Sequence, residues 1–531
     1  MPPSVDLVVV NGDLHTMDAA RPRARALAVA DGTIVAVGDG PEVLALRGPA
    51  TQVLDLGGRT AVPGLIDAHV HLLAFGLSLG QVDLSEAASI DAAVVAVASA
   101  HEEQPDGWLL GRGFHPGRWP RWPTSADLDA VVGDRPVALR AHDGHSVWVS
   151  SAALRLAGVT ASAQPPAGGA ILRDASGEPI GVLQERAIEL IDEAIGPPTP
   201  EQVDAALARA VRRCAEVGLA GVHVVEGRDS FAGIQRLRER GKLTLRVQAN
   251  LWRDGFDAAL ALGLRTGLGD EWLRIGGLKL FADGALGSRT ALMLEPYDGE
   301  PRNRGVAVLT REELIDYAER AASNGIALVV HAIGDLANRH VLDALARARE
   351  VAGPELRHRI EHAQIVHPDD VPRFAKLGVV ASMQPTHATT DIDLADRYWG
   401  ERSTHAYAWR SMLDAGVPLA FGSDCPVEPI DPLHGIFAAV TRQRRDGTPP
   451  GGWYPEQRLT VEEAVRAFTL GAAYAAGEEA TKGSLSVGKV ADLTVLSRDI
   501  FAVAPSEIFG TEAVMTIVGG RVVFERSGAV V

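Results

Sequence analysis

The run Pro63-Gly64-Leu65-Ile66-Asp67-Ala68-His69-Val70-His71 is a short apolar strand that ends in two alternating imidazoles. Residues two apart in a strand point the same way, so His69 and His71 can grip one ion together. A lone His-x-His arises by chance in many proteins, and this one gains weight from the chain around it. Through the middle of the sequence, short apolar strands alternate with helical stretches, as βα units around a parallel sheet do. Eight strands are expected, at Ala61–Ala68, Gly221–Val225, Thr244–Leu251, Arg274–Phe281, Ala327–His331, Arg357–His362, Val379–Met383 and Pro418–Ser423. Eight closes a barrel, so the predicted fold class is α/β, a (β/α)8 TIM barrel.

The strand ends carry the chemistry. The first strand leads into His69 and His71, the fourth carries Lys279, the fifth ends at His331, the sixth at His362, and the eighth runs into Asp424. Barrel enzymes build their active sites at this C-terminal edge. Imidazole and carboxylate suit zinc and other first-row divalent ions. A free ammonium among four histidines and two cations is strongly disfavoured. A lysine that has captured CO2 as a carbamate instead offers two oxygens and a negative charge, enough to bridge two ions about 3.5–4 Å apart. Taken singly, Lys279 reads as an interior ion pair, His331 or His362 as a core histidine, and Asp424 as a helix cap. Compatible ligands on five strands in this order are hard to obtain from packing alone.

Both ends of the chain are strand-like. Val5–Val10, Ala26–Ala30, Thr33–Val37 and Gln52–Asp55 are separated by Asn11-Gly12, Asp31-Gly32 and Gly57-Gly58, which are hairpin signals. Asp492–Leu496, Ala513–Val518 and Arg521–Glu525 repeat the style at the C-terminus. Neither end buries a face alone, so residues 1–58 plus 480–531 are expected to form one composite β-sandwich. The barrel takes 59–77 plus 206–479. About 150 residues separate its first two strands, too many for one crossover, so 78–205 is read as an insertion contributing to the pocket. It holds the run GRGFHPGRWPRWP (111–123) and a strand-like run PVALRAHDGHSVWVS (136–150).

Bulk properties exclude several classes. The 531 residues carry a formal charge of −17, which disfavours nucleic acid and anionic membranes as partners. No apolar run is long enough for a membrane span. Two cysteines, Cys214 and Cys425, give no disulfide framework, and the N-terminus lacks a signal-peptide pattern, so a cytoplasmic protein is expected. The expected partner is a small-molecule substrate, with a homodimer as the assembly in view.

The opening run from Pro63 to His71 resembles that of the amidohydrolase superfamily, and Lys279, His331, His362 and Asp424 match its remaining ligands in order. The runs Lys279–Thr290 (KLFADGALGSRT), His331–Asp335 (HAIGD), Glu361-His362-Ala363 and Gly422–Val427 (GSDCPV) are similar to those of a narrower branch. That branch is amidohydrolase family 3, which includes N-substituted formamide deformylase-like proteins. The resemblance spans nearly the whole chain. It implies two divalent ions, with zinc expected. His69, His71 and Asp424 would hold the more buried one, His331 and His362 the other, and carboxylated Lys279 would bridge them. It also implies a metal-activated hydroxide attacking a carbonyl, with Asp424 as the catalytic proton carrier.

The expected reaction is hydrolysis of a non-peptide C–N bond, amide or N-formyl in type. A cyclic amide, lactone or ester hydrolase, or a ring deaminase, would use the same site, and a catalytically silent barrel would have no physical need for six ligand-type residues. For substrate contact, Trp119, His145 and Trp148 in the insertion are the candidates, with Arg289 after the fourth strand and Gln384 after the seventh. Trp119 and Trp148 read more readily as packing residues, and Arg289 also reads as a salt-bridge partner.

Overall fold

A computed structural model describes residues 5–103 and 106–527. The outermost residues of the expected sandwich, 1–4 and 528–531, lie outside the described residues.

The eight central strands form one parallel sheet whose spatial order is the chain order: β1 (Leu65–Val70), β2 (Leu219–Val224), β3 (Arg246–Trp252), β4 (Leu273–Phe281), β5 (Leu328–Ala332), β6 (Arg359–His362), β7 (Val380–Met383) and β8 (Leu419–Phe421). Fully buried runs such as Leu219–Val224 are what a sheet covered on both faces requires. Amphipathic helices follow the strands, for example Arg228–Glu239 after β2, Arg311–Ser323 after β4 and Asp335–Ala352 after β5. Thr310 and Glu313 start the second of these as a reciprocal capping box.

The sheet closes between β1 and the segment just past β8. The Asp424 amide donates to His69 O at 2.8 Å, and the His71 amide donates to Cys425 O at 2.9 Å. Asp67 Oδ1 accepts the Ser423 amide at 3.0 Å, and Ser423 Oγ donates to Asp67 Oδ2. Gly422 permits this approach. A Cβ there would lie 2.5 Å from the His69 nitrogen and 2.6 Å from Asp67 Oδ1.

The first strand differs from expectation. Ala61–Ala68 is not continuous, because Gly64 divides it between two sheets. Thr60–Pro63 pairs with Leu493–Leu496 outside the barrel, and β1 begins at Leu65. A Cβ on Gly64 would meet Ala220 and Asp492 at 2.5 and 2.8 Å, so the crossing point is too tight for a side chain.

The flanking strands form two sheets. One has four strands, all from the N-terminal region: Leu7–Val10, Ala26–Ala30, Thr33–Gly38 and Gln52–Asp55. The other has six and mixes the ends, joining Asp13–His15, Arg23–Ala24 and Thr60–Pro63 to Leu493–Leu496, Ala513–Val518 and Arg521–Glu525. Leu7, Val9, Leu27 and Ile34 share one buried cluster with Leu493, Val495, Met515 and Ile517. A bidentate pair then fixes β3 to the end of this sheet: Arg246 Nε and Nη2 reach Asp492 at 2.7 and 3.0 Å. Arg246 also lies over the Trp272 ring, 4.7 Å from its centroid.

Residues 76–206 form a compact unit of their own around a six-stranded sheet. The single strand-like run expected at 136–150 is a hairpin, Val137–Ala141 and Ser146–Val149, paired antiparallel. Gly144, at φ +74°, lies in the turn between them. Among the described residues, no helix is long and apolar enough to cross a membrane.

The Arg246–Asp492 pair gives a stability prediction. Asp492→Ala leaves a guanidinium that is 3% exposed without its bidentate partner. Denaturant unfolding should show a loss of about 3 kcal/mol, the low end for breaking a buried pair, because Glu271 remains 3.4 Å from Arg246. A loss within experimental error would mean that the pair does not tie the flanking sheet to the barrel.

Candidate metal centre

The strand ends bring His69, His71, Lys279, His331, His362 and Asp424 to one cleft of about 300 Å³ at the C-terminal mouth of the barrel. His69 and His71 project together from the end of β1, as strand alternation requires. Their Nε2 atoms lie 3.3 and 3.2 Å from Asp424 Oδ1. The other rings complete the cluster: centroids are 4.8 Å apart for His69 and His362, and 4.6 Å for His331 and His362. His362 and Asp424 hold positive φ angles of 71° and 61°, a cost of order 1 kcal/mol or more at non-glycine residues.

One nitrogen of each of three histidines is already committed. His69 Nδ1 donates to the Glu361 carboxylate. His362 Nδ1 donates to Gln384 Oε1 at 2.7 Å. His331 Nε2 donates to Gly284 O at 3.0 Å. These bonds fix the tautomers and leave His69 Nε2, His362 Nε2 and His331 Nδ1 as free lone pairs.

Electrostatics agree with the geometry. Burial, reinforced by the Lys279 charge, pulls His331 down to about 3, and burial holds His362 well below the imidazole range, so both are neutral. Burial raises the Asp424 carboxyl, but the imidazoles of His69, His387 and His71 outweigh it and keep it well below the usual range. Burial and Lys279 oppose protonation of His69, yet Glu361 and Asp424 draw its pKa upward. Carboxylates that attract a proton there attract a cation equally.

The residues fit a divalent metal ion on an internal observation. Asp424 Oδ1 is buried, has no hydrogen-bond partner, and faces two imidazole nitrogens. Such an oxygen is costly unless a cation or donor meets it. His69, His71 and Asp424 place three ligand atoms within 4.8 Å of one another, and His362, His387 and Asp424 do the same. Lys279 is 1% exposed, and burial brings it down to about 8 against the pull of Glu361 and Asp424. Its Nζ lies 4.8 Å from the Phe281 ring centroid.

Three residues that hold the cluster in place, Glu361, His387 and Asp67, were not singled out as candidates by the sequence. Glu361, 0% exposed, grips His69, accepts from Ser382 Oγ at 2.8 Å, and pairs with Arg359 Nε at 2.7 Å. His387, on the short helix Pro385–Thr390, lies 3.2 Å from Asp424 Oδ2 and 3.6 Å from Glu428. Burial works against its charge, but hydrogen bonds to Asp424 and Glu428 raise it to about 10. Asp67 closes the barrel seam. Glu361 stands beside a candidate ligand in Glu361-His362-Ala363, and His387 follows Gln384 by three residues. Those positions were the available signals.

The expected substrate contacts fare differently. Trp119 and Trp148 are spent on the insertion's own core. They are 7% and 0% exposed, pack on Phe114, and donate their Nε1–H groups to Ala87 O and Thr124 O. His145 is exposed and pairs with Glu185. Arg289 pairs with Glu300 at 2.8 Å and donates to the Tyr398 hydroxyl, which is its salt-bridge reading. Gln384 is 1% exposed and orients His362. The cleft is walled instead by Phe281, Leu286, Ile333 and Val427.

An eight-stranded parallel barrel with this donor set at its mouth defines a metal-dependent hydrolase. The chain belongs to the amidohydrolase family, whose profile matches residues 52–524. It is 34% identical to the putative amidohydrolase YtcJ of Bacillus subtilis, over 97% of this chain and 99% of that one. It is 33% identical to the N-substituted formamide deformylase of Arthrobacter pascens, over 99% of each. An uncharacterized metal-dependent hydrolase from Pyrococcus furiosus has the same fold, with a TM-score of 0.79 and 30% identity over 93% of this chain and 99% of that one.

The Glu361–His69 bond predicts a metal-binding phenotype. Glu361→Gln keeps the volume but replaces a carboxylate acceptor with an amide. Metal affinity, read by competition with a chromogenic chelator, should fall about 10- to 100-fold with secondary structure intact. An unchanged affinity would reduce Glu361 to a partner of Arg359.

Proposed function

We propose that this protein hydrolyses a non-peptide amide or N-formyl-type C–N bond of a small substrate, using two divalent ions. The observation that carries this reading is the unpartnered, buried Asp424 Oδ1 set between His69 and His71. Zinc suits the imidazole and carboxylate donors. His69, His71 and Asp424 would hold one ion, and His331 and His362 the other. Such ions polarise an acyl oxygen and acidify water.

Lys279, as its carbamate, would contribute to both. Four neutral imidazoles and one carboxylate leave two divalent ions with three uncompensated positive charges, and an ammonium would add a fourth. A carbamate removes one. Its formation needs a neutral amine, which burial of Lys279 favours. The amine nitrogen bonds to CO2 and releases a proton.

The protein's own groups then divide the work. Asp424 takes the proton of the attacking water and delivers it to the leaving nitrogen. His387 donates to Asp424 Oδ2 and steers Oδ1 towards the imidazoles. Glu361 and Gln384 hold His69 and His362 in register. Phe281, Leu286, Ile333 and Val427 offer an apolar wall to the group carried by the substrate nitrogen. The Arthrobacter pascens relative, an N-substituted formamide deformylase by name, supports the choice of bond.

Three measurements test the reading. Metal-loaded enzyme should turn over N-substituted formamides or simple N-acyl amines faster than lactams or aryl esters; the reverse order would overturn the bond assignment. Asp424→Asn should lose at least about 10²-fold in kcat, the low end for general base catalysis, and Lys279→Ala should lose activity and at least one metal, with partial rescue by acetate. Full activity and two metals in Lys279→Ala would remove the bridge.

A further inference from the structure

A cluster outside the cleft meets the requirements of a cation site. Asp13 and His15 lie on one short strand of the mixed sheet, two residues apart and therefore on one face. Asp499 reaches them from the loop after Leu493–Leu496. His15 Nε2 stands 3.8 Å from Asp13 Oδ2 and 3.9 Å from Asp499 Oδ1, and the three ligand atoms all lie within 4.8 Å of one another. Its side chain is 9% exposed, and Nε2 is buried with no hydrogen-bond partner. The ring is locked by stacking on Phe501, with centroids 3.5 Å apart and planes inclined by 13°. Nε2 is therefore aimed between two carboxylates by packing.

We propose that Asp13, His15 and Asp499 form a separate metal site for a first-row divalent cation of the zinc type, clipping the two ends of the chain together. The spacings of 3.8 and 3.9 Å are too long for hydrogen bonds. In a tetrahedral site with bonds of about 2.1 Å, ligand atoms lie roughly 3.4 Å apart, so each His15 pair would contract by a few tenths of an ångström on binding. A metal cation satisfies a buried nitrogen lone pair and two facing carboxylates at once. Asp13 and Asp499 are 39% and 30% exposed, so water can complete the coordination. One competitor is present: Arg23 Nη1 is 3.3 Å from Asp13 Oδ2, on a side chain that is 53% exposed and free to swing away. Burial and the Arg23 charge pull His15 down to about 4, so its imidazole is neutral, the form that ligates. The strand Asp13–His15 comes from the N-terminal region and Asp499 from the C-terminal one, so an ion here stabilises their junction by mass action.

The test is a metal count on the full-length, zinc-loaded enzyme after gel filtration. His15→Ala and Asp499→Asn should each hold one zinc per chain fewer than the parent, with kcat and KM unchanged and a lower Tm in the presence of zinc. Arg23→Ala, which removes the competitor, should retain zinc against higher concentrations of chelator than the parent. Asp499→Asn, at a partly exposed position, keeps the test decisive if His15→Ala does not fold. Equal zinc content in the parent and Asp499→Asn, or no gain in retention by Arg23→Ala, would overturn the site.

Discussion

The seam between the first and last barrel strands is the constraint on which the rest depends. His69, His71 and Asp424 belong to segments more than 350 residues apart. They meet because Asp67 takes two donors from Ser423 while the Asp424 and Cys425 backbone pairs with His69 and His71. Gly422 is the geometric condition for that approach. A barrel that failed to close would leave the same residues at opposite sheet edges. Closure and assembly of the donor set are therefore one event.

Beneath the mouth, the barrel interior is charged where a barrel core is normally apolar. Glu361 links His69 on β1, Arg359 on its own strand and Ser382 on β7, and Arg359 continues to His223 on β2 at 2.8 Å. Burial alone would raise the Glu361 carboxyl, but Arg359 and His69 hold it at about 2. An isolated buried charge would cost several kcal/mol, so each member needs the others. Such a network contributes little net stability. Its effect is directional: it holds the β1 imidazole in one tautomer and one orientation.

The eight strands were legible because each is a short apolar run with a punctuated end, and the candidate ligands were legible because the βα-loop face concentrates them. Gly64 was not legible as a break, since nothing local says that Thr60–Pro63 and Leu65–Val70 serve different sheets. Glu361 was hidden for a related reason. A glutamate within an apolar strand acquires meaning only from Arg359 beside it and from His69, 292 residues away. The tryptophans took the packing reading that their sequence already favoured over substrate contact. A Pro-rich stretch suggests an exposed loop, but the rings of Trp119 and Trp148 fill the insertion's core, and their N–H groups find carbonyl partners there. Gln384 was placed on the correct loop, but its amide is occupied with His362.

Asp424 shows how one carboxylate can hold two duties apart. Its Oδ1 has no hydrogen-bond partner and faces His69 and His71, whereas Oδ2 is taken by His387. His387 in turn leans on Glu428, which accepts from Thr390 Oγ1 at 2.7 Å. Asp424 itself stands at a positive φ of 61°. With both oxygens equally free, the carboxylate could chelate a single ion through the pair, and the basic oxygen needed for proton transfer would be lost. In the proposed reaction, committing Oδ2 to His387 would leave Oδ1 to meet the metal ion, with His387 hydrogen-bonded to the other oxygen. In the proposed reaction, that division lets a metal ligand also serve as the proton carrier.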